Sequence, residues 1–264
     1  MNNANKNQDA ATLKQSTDRL ASDGFVLLPH VYDAELVEQL LDASSRSEQA
    51  ARDALGSKEI GIGSAAGYVE IVQRSPGRWD VPVDPLEFGI EHSATPWWPL
   101  IESVLGDAAE LWVSGVISSE PGSAEQYWHS DSPHETAEHR PPNAVNVLVA
   151  LHDVPMAMGP TEFARGSHLL TNHLRNPTLV VEELIYQHAG TSPETLVKGT
   201  AHEAPKECAS PLAVGSCVAF DDRVLHRGMA NQSSETRHVA YFTYRRSGYS
   251  TDTYFETQRS VHDN

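Results

Sequence analysis

Hydrophobic and polar positions alternate with two different periods along this chain. In the N-terminal part the period is helical. Leu36, Val37, Leu40 and Leu41 fall on one helix face, and Ala54 and Leu55 extend it. Asp33 is a good N-cap for this helix and Gly56 ends it. A shorter helix is expected over residues 11–21, closed by Gly24, and Phe25-Val26-Leu27-Leu28-Pro29 reads as a strand. Residues 60–72 hold glycines and β-branched residues and predict a hairpin, and residues 74–85 a loop. Trp97-Trp98-Pro99-Leu100 opens a helix to residue 105, with the Trp pair in the core. From residue 111 the period becomes that of strands, predicted at 111–117, 125–129, 144–151, 161–164, 212–220 and 238–244. Residues 171–196 read as a partly helical insertion. Antiparallel strands of this kind, with helices on one face, predict a mainly β double-sheet jelly roll.

Composition narrows the range of partners. Nineteen Lys and Arg against 36 Asp and Glu give a net charge of −17. Such a surface repels phosphate backbones and anionic lipid, so neither nucleic acid nor membrane is an expected partner. Two cysteines, Cys208 and Cys217, are too few for a disulfide framework or a structural zinc site, which fits a reducing compartment. Residues 1–10 are polar and Asn-rich and are expected to be a disordered tail without a secretory apolar segment. No run of 18 apolar residues occurs, so a cytoplasmic protein is expected. Residues 11–264 are expected to form one domain, with homodimer formation left open.

Candidate chemistry centres on Gln126-Tyr127-Trp128-His129-Ser130-Asp131. In an extended segment His129 and Asp131 project from one face and can grip adjacent positions on a metal ion. Two His and one carboxylate on one side of an ion form the facial triad of non-haem Fe(II) oxygenases. A third ligand is expected where a later strand ends, at His226. Arg237 opens the next apolar run and, in a hairpin, returns beside His226. A guanidinium there can take a carboxylate in a two-pronged contact. His134 and His139 superficially resemble a zinc-protease helix, but their i, i+5 spacing is wrong and Arg140-Pro141-Pro142 ends any helix.

Together these residues resemble the phytanoyl-CoA dioxygenase family of Fe(II)/2-oxoglutarate oxygenases. The likeness has four parts in order: Gln126-x-x-His129-x-Asp131; Gly159-Pro160-Thr161 through Arg165-Gly166-Ser167-His168; His226-Arg227-Gly228; and Arg237. Gly24-Phe25-Val26 resembles the family's opening strand. The resemblance implies a cupin-like double-stranded β-helix and an enzyme with His129, Asp131 and His226 as catalytic metal ligands for Fe(II). It further implies 2-oxoglutarate and O2 as cosubstrates, with Gln126, Thr161 and Arg237 holding 2-oxoglutarate. Arg165 departs from the family's Pro, at a turn. Asp131 retains the carboxylate that related halogenases replace, which argues for hydroxylation, desaturation or a related oxidation.

The expected substrate is a small metabolite of a biosynthetic pathway, held by Tyr68, Arg78, Trp79, His134 and Arg165. No basic cluster suits a coenzyme A pyrophosphate. The competing expectation is a non-catalytic jelly-roll protein that binds a metal or small molecule.

Overall fold

The structure is a computed structural model that describes residues 3–132, 134, 136, 138–169, 206–208, 212–250 and 259–263. Helix α1 (Asn3–Asp23) precedes strand β1 (Phe25–Leu28), and α2 (Ala34–Leu55) follows. Next come the hairpin β2 (Val72–Ser75) and β3 (Arg78–Pro82), the single turn α3 (Pro85–Phe88) and α4 (Trp98–Leu105). The remaining strands are β4 (Glu110–Ser119), β5 (Ala144–Ala150), β6 (Thr161–Ala164), β7 (Lys206–Cys208), β8 (Cys217–Asp221), β9 (His226–Gly228) and β10 (Arg237–Arg245). The predicted insertion at 171–196 lies outside the described residues.

Two antiparallel sheets face each other, as expected of a double-stranded β-helix. The larger has the order β1-β8-β5-β10-β4-β3-β2, and the smaller β7-β6-β9. Strand alternation gives the large sheet two different faces. Val145, Val147 and Val149 of β5, Cys217 and Ala219 of β8, and Ala240, Phe242 and Tyr244 of β10 point outward. There they join Leu20, Leu40, Ala43, Leu100 and Ile101 of the helices in one apolar core. The other face carries Asn146, Val218, Phe220, Arg78 and Arg237, and looks toward the small sheet.

Asp33 caps α2 as expected, accepting from the Leu36 amide at 3.0 Å. Helix α1 starts at Asn3, well before the predicted residue 11. That stretch holds no Gly or Pro to stop a helix, so its polar composition does not end one. The hairpin expected at 60–72 shrinks to isolated bridges, Ile62 with Gln73 and Tyr68 with Ile71. The true hairpin is β2–β3, in the stretch predicted as a loop. Its turn is Pro76-Gly77, with Gly77 at φ 73°, a left-handed position glycine adopts freely. Strand 212–220 begins only at Cys217, because Gly215 turns the chain at φ 75°.

Trp97 is fully buried and donates Nε1–H to the Tyr244 hydroxyl at 2.8 Å. Its ring lies 5.3 Å from Phe242, which lies 5.3 Å from Phe88. This aromatic cluster joins the helices to the sheet's outer face. Replacing Phe242 by Ala is expected to cost about 3–5 kcal/mol, as for a well-packed core Phe. Urea denaturation checks this, and a loss under about 1 kcal/mol would mean that the cluster does not hold the helical layer.

Candidate metal centre

The small sheet has a further edge. The stretch predicted as strand 125–129 is reduced to one bridge, His129 with His226. The His129 amide donates to the His226 carbonyl at 3.1 Å, and the His226 amide to the His129 carbonyl at 2.8 Å. A second contact runs from the Gln126 amide to the Gly228 carbonyl at 2.9 Å. Residues 126–129 therefore pass one more residue than β9 does between these contacts. This is a bulge, and it breaks the regular ladder. The reciprocal pair puts the two imidazoles side by side, with ring centroids 4.4 Å apart.

Each ring is fixed by its own chain. His129 Nδ1–H donates to the Tyr127 carbonyl at 2.8 Å, and His226 Nδ1–H to the Val224 carbonyl at 3.0 Å. A carbonyl only accepts, so each neutral ring carries its proton on Nδ1 and presents the Nε2 lone pair. Asp131 Oδ1 lies 3.9 Å from His129 Nε2 and 3.8 Å from His226 Nε2. Two ligand bonds of about 2.1 Å span up to about 4.2 Å, so one ion can reach all three atoms. Burial, then the facing His226, push the His129 pKa down to about 4, so the ring is neutral near pH 7.

Asp131 is held from behind. Asn146 Nδ2 donates to Asp131 Oδ2 at 2.6 Å, and Thr243 Oγ1 donates to Asn146 Oδ1 at 2.5 Å. One carboxylate oxygen is thus occupied and the other left for a metal. The Asp131 and Ser132 amides both donate to the Asp222 carbonyl, which fixes the backbone. Asn146 was not foreseen, yet it left a trace: it is the one polar residue in the strand Ala-Val-Asn-Val-Leu-Val-Ala.

Beyond this cluster lie two buried arginines. Arg237 does not return beside His226 in a hairpin. It opens β10 in the large sheet, opposite Ser119, whereas β9 belongs to the small sheet. The chain changes sheets between them, so Arg237 reaches the interior from the opposite wall. Its guanidinium donates to the Gly159 carbonyl and to Ser119 Oγ. Arg78, 1 % exposed, donates to Gln126 Oε1 at 3.1 Å, to the Met229 carbonyl at 2.6 Å and to the Ala124 carbonyl at 3.4 Å. All these acceptors are neutral. Neither guanidinium has a carboxylate partner among the described residues, and each Nε lacks an acceptor. Burial lowers the Arg78 pKa to about 10, and burial with the nearby Arg78 lowers Arg237 to about 9, so both stay cationic at neutral pH. A Cβ on Gly228 would stand 1.3 Å from Arg78 Nη1, so only glycine lets the arginine through. Gln126 Oε1 also accepts from the Gly228 amide at 3.0 Å. Thr161 pairs with Gly228 in the small sheet.

The residues expected to bind substrate are dispersed. Trp79 lies on the outer face of β3, where it donates to Glu120 and stacks under Arg52. Strand alternation places it opposite to its neighbour Arg78. Tyr68 packs in the outer core, donates to the Glu59 carbonyl and lies under Arg259. Arg165 pairs with Asp23 at the end of α1. These three side chains thus sit in packing or anchoring positions, whereas Arg78 lies against Gln126. His134 is buried and donates Nε2–H to the His168 carbonyl at 2.6 Å. His168 is structural: its Nε2–H donates to the Ala21 carbonyl. Ser167 Oγ accepts from the Leu225 amide, which steadies the approach to His226. Asp221 caps the turn before β9 by accepting from the Arg223 amide. Beside it, Asp222 is buried, and burial with the Asp221 charge holds its carboxyl well above the usual range.

Burial, then the Arg223 charge, lower the His134 pKa to about 4. The unfolded chain, with the ordinary value near 6.5, therefore binds this proton first. Stability from this group is complete above about pH 6.5 and is lost as pH falls toward 4, with a slope of up to about 1.4 kcal/mol per pH unit. Urea midpoints from pH 7 to 4 are expected to fall less steeply in His134→Gln. Equal slopes would mean that His134 titrates alike in both states.

Residues 20–239 match the phytanoyl-CoA dioxygenase (PhyH) family. Among solved structures, the fold resembles the non-haem α-ketoglutarate-dependent epimerase SnoN of nogalamycin biosynthesis at 24% identity, TM-score 0.59, covering 90% of this chain and 84% of that one. SnoN has also been solved with Fe3+, α-ketoglutarate and nogalamycin RO. The carbocyclase SnoK of the same pathway gives 18% identity, TM-score 0.61 and coverage of 89% and 84%. HygX from Streptomyces hygroscopicus, solved with nickel, 2-oxoglutarate and hygromycin B, gives 15% identity, TM-score 0.56 and coverage of 89% and 88%. With the family match spanning most of its length, this chain belongs to the phytanoyl-CoA dioxygenase family.

Proposed function

We propose that this protein is an Fe(II)- and 2-oxoglutarate-dependent dioxygenase that oxidises a small metabolite in natural-product biosynthesis. The chemistry is hydroxylation, desaturation or a related C–H oxidation, with release of succinate and CO2. One observation carries the reading: two Nε2 lone pairs and a carboxylate oxygen converge beside two buried guanidiniums that have no acidic partner among the described residues. Buried charges without counter-ions are costly, and a dianionic oxo acid is the ligand that relieves them. The fold's likeness to enzymes solved with iron or nickel and 2-oxoglutarate supports the same reading.

In this reading His129, Asp131 and His226 hold Fe(II). Arg237 takes the far carboxylate of 2-oxoglutarate. Gln126 turns its Oε1 to Arg78 and Gly228, which leaves its NH2 group to donate toward the cosubstrate. Thr161 lines the same end. When bound, iron with 2-oxoglutarate and O2 supplies the oxidising power. The chain's part is to hold the donors in one arrangement and to set buried cations beside them. Residues 11–264 act as one catalytic domain in the cytoplasm.

Anaerobic addition of 2-oxoglutarate to the Fe(II)-loaded protein is expected to give a weak visible charge-transfer band, and turnover to give succinate. Both are expected to disappear in His129→Ala and Asp131→Ala. No band and no succinate with the unaltered chain would favour a non-catalytic binding protein. Gly228→Ala displaces Arg78 and is expected to weaken 2-oxoglutarate binding at least tenfold, read from the same band, with Fe(II) binding retained. Unchanged 2-oxoglutarate affinity would remove Arg78 from the cosubstrate site.

A further inference from the structure

Strand β4 carries a glycine, Gly115, in mid-strand, where glycine normally weakens a sheet. It is not among the glycines with positive φ, so no turn requires it. Its neighbour uses the space instead. A Cβ on Gly115 would stand 2.5 Å from the Tyr241 hydroxyl and from the Val81 carbonyl, and 2.7 Å from Tyr241 Cε1. Tyr241 is directly opposite on β10. Its phenol ring therefore leans across β4, whereas a strand side chain ordinarily stands off the sheet. A ring laid over a glycine in this way makes a flat aromatic surface.

That surface lies on the inner face of the large sheet, below the metal donors. Along β10 this face presents Arg237, Val239, Tyr241 and Thr243 in turn. At one end Arg237 is level with Ser119 and Arg78, and Arg78 binds Gln126. At the other, Thr243 is level with Asn146, which binds Asp131. The stretch from Gln126 to Asp131 is thus fastened to both ends of the row, and it crosses above Tyr241. The middle of the row stays accessible. Tyr241, Ile117 and Thr243 are half-buried, and Val113 and Pro82 are exposed. The side chains of Asp131 and His129 are 41 % and 28 % exposed. Ile117, Val113 and Pro82 share the face with Tyr241 and present only carbon.

We propose that Tyr241 is the platform on which a flat, conjugated ring of the substrate lies, and so the residue that selects such a ring over a puckered one. A planar ring stacks offset on the phenol face, which a saturated ring of the same size cannot match. The aliphatic neighbours offer no partner for sugar hydroxyls. The inference rests on the oxygenase reading only in making that ring part of the substrate. Calorimetry on the full chain loaded with Fe(II) and 2-oxoglutarate under argon tests it. The probes are 2-naphthol, its saturated counterpart decahydro-2-naphthol, and methyl α-glucoside. Naphthol is expected to bind about fivefold tighter than decahydronaphthol, and the glucoside more weakly than either. Tyr241→Leu is expected to abolish the preference for naphthol and Tyr241→Phe to keep it, with thermal midpoints checking that each variant folds. The affinity for 2-oxoglutarate, read from the charge-transfer band, is expected to stay unchanged in both. Equal binding of naphthol and decahydronaphthol overturns the proposal, as does a preference retained in Tyr241→Leu or a glucoside that binds tighter than naphthol. A 2-oxoglutarate affinity that falls together with naphthol binding in Tyr241→Leu also overturns it, because the ring would then serve the cosubstrate. The band without naphthol binding sinks the platform alone. A Tyr241-dependent naphthol preference without the band sinks the oxygenase reading and leaves the platform.

Discussion

Two backbone hydrogen bonds carry the organisation of this site. The amide and carbonyl of His129 exchange with those of His226, and this exchange sets two distant stretches in register. Both imidazoles then stand on the same side of the small sheet, each turned by its own chain's carbonyl two residues back. The neighbouring contacts serve this pairing. Ser167 holds the Leu225 amide, the Asp222 carbonyl holds the amides of Asp131 and Ser132, and Gly24 leaves room for His168 and Val224. A slip of one residue at this edge would turn His226 to the outer face, where Arg227 now meets Glu162.

The electrostatics of surface and interior are opposed. The chain carries a net charge of −17, yet its interior holds Arg78 and Arg237, whose acceptors among the described residues are all neutral. Near them the His129 ring is kept neutral by burial and by His226. A neutral imidazole is a ligand, whereas an imidazolium is not, and burial sets that state before any ion arrives. The same burial leaves the arginines charged, because guanidinium starts from so high a pKa that a shift to about 9 or 10 does not discharge it. One physical effect thus leaves a neutral imidazole and buried cations close together.

The surroundings of the donors divide by chemistry. On one side the arginines, Gln126 and Gly228 form a packed cationic cluster. On the other, residues just past Asp131 face Asp222 and Tyr249 across a polar cavity. Asp131 stands at the boundary, one oxygen tied to Asn146 and the other turned toward the histidines.

Much of this was legible in the residue order. The helix periodicity from Leu36 to Leu41, the Asp33 cap and the alternating strands gave the layered β architecture, because those signals are local. The motif around His129 and the glycine after Arg227 marked the candidate donors that the structure brings together, since metal chemistry restricts residue type and spacing. Asn146 and Pro76-Gly77 were visible signals whose meaning was not read. Other features came only from tertiary structure. That Arg237 approaches from the opposite sheet, that Arg78 threads past Gly228, and that Tyr68, Trp79 and Arg165 are engaged elsewhere all depend on which strands become neighbours. Spacing along a chain fixes which face a side chain takes, whereas the packing of the two sheets decides what that face meets.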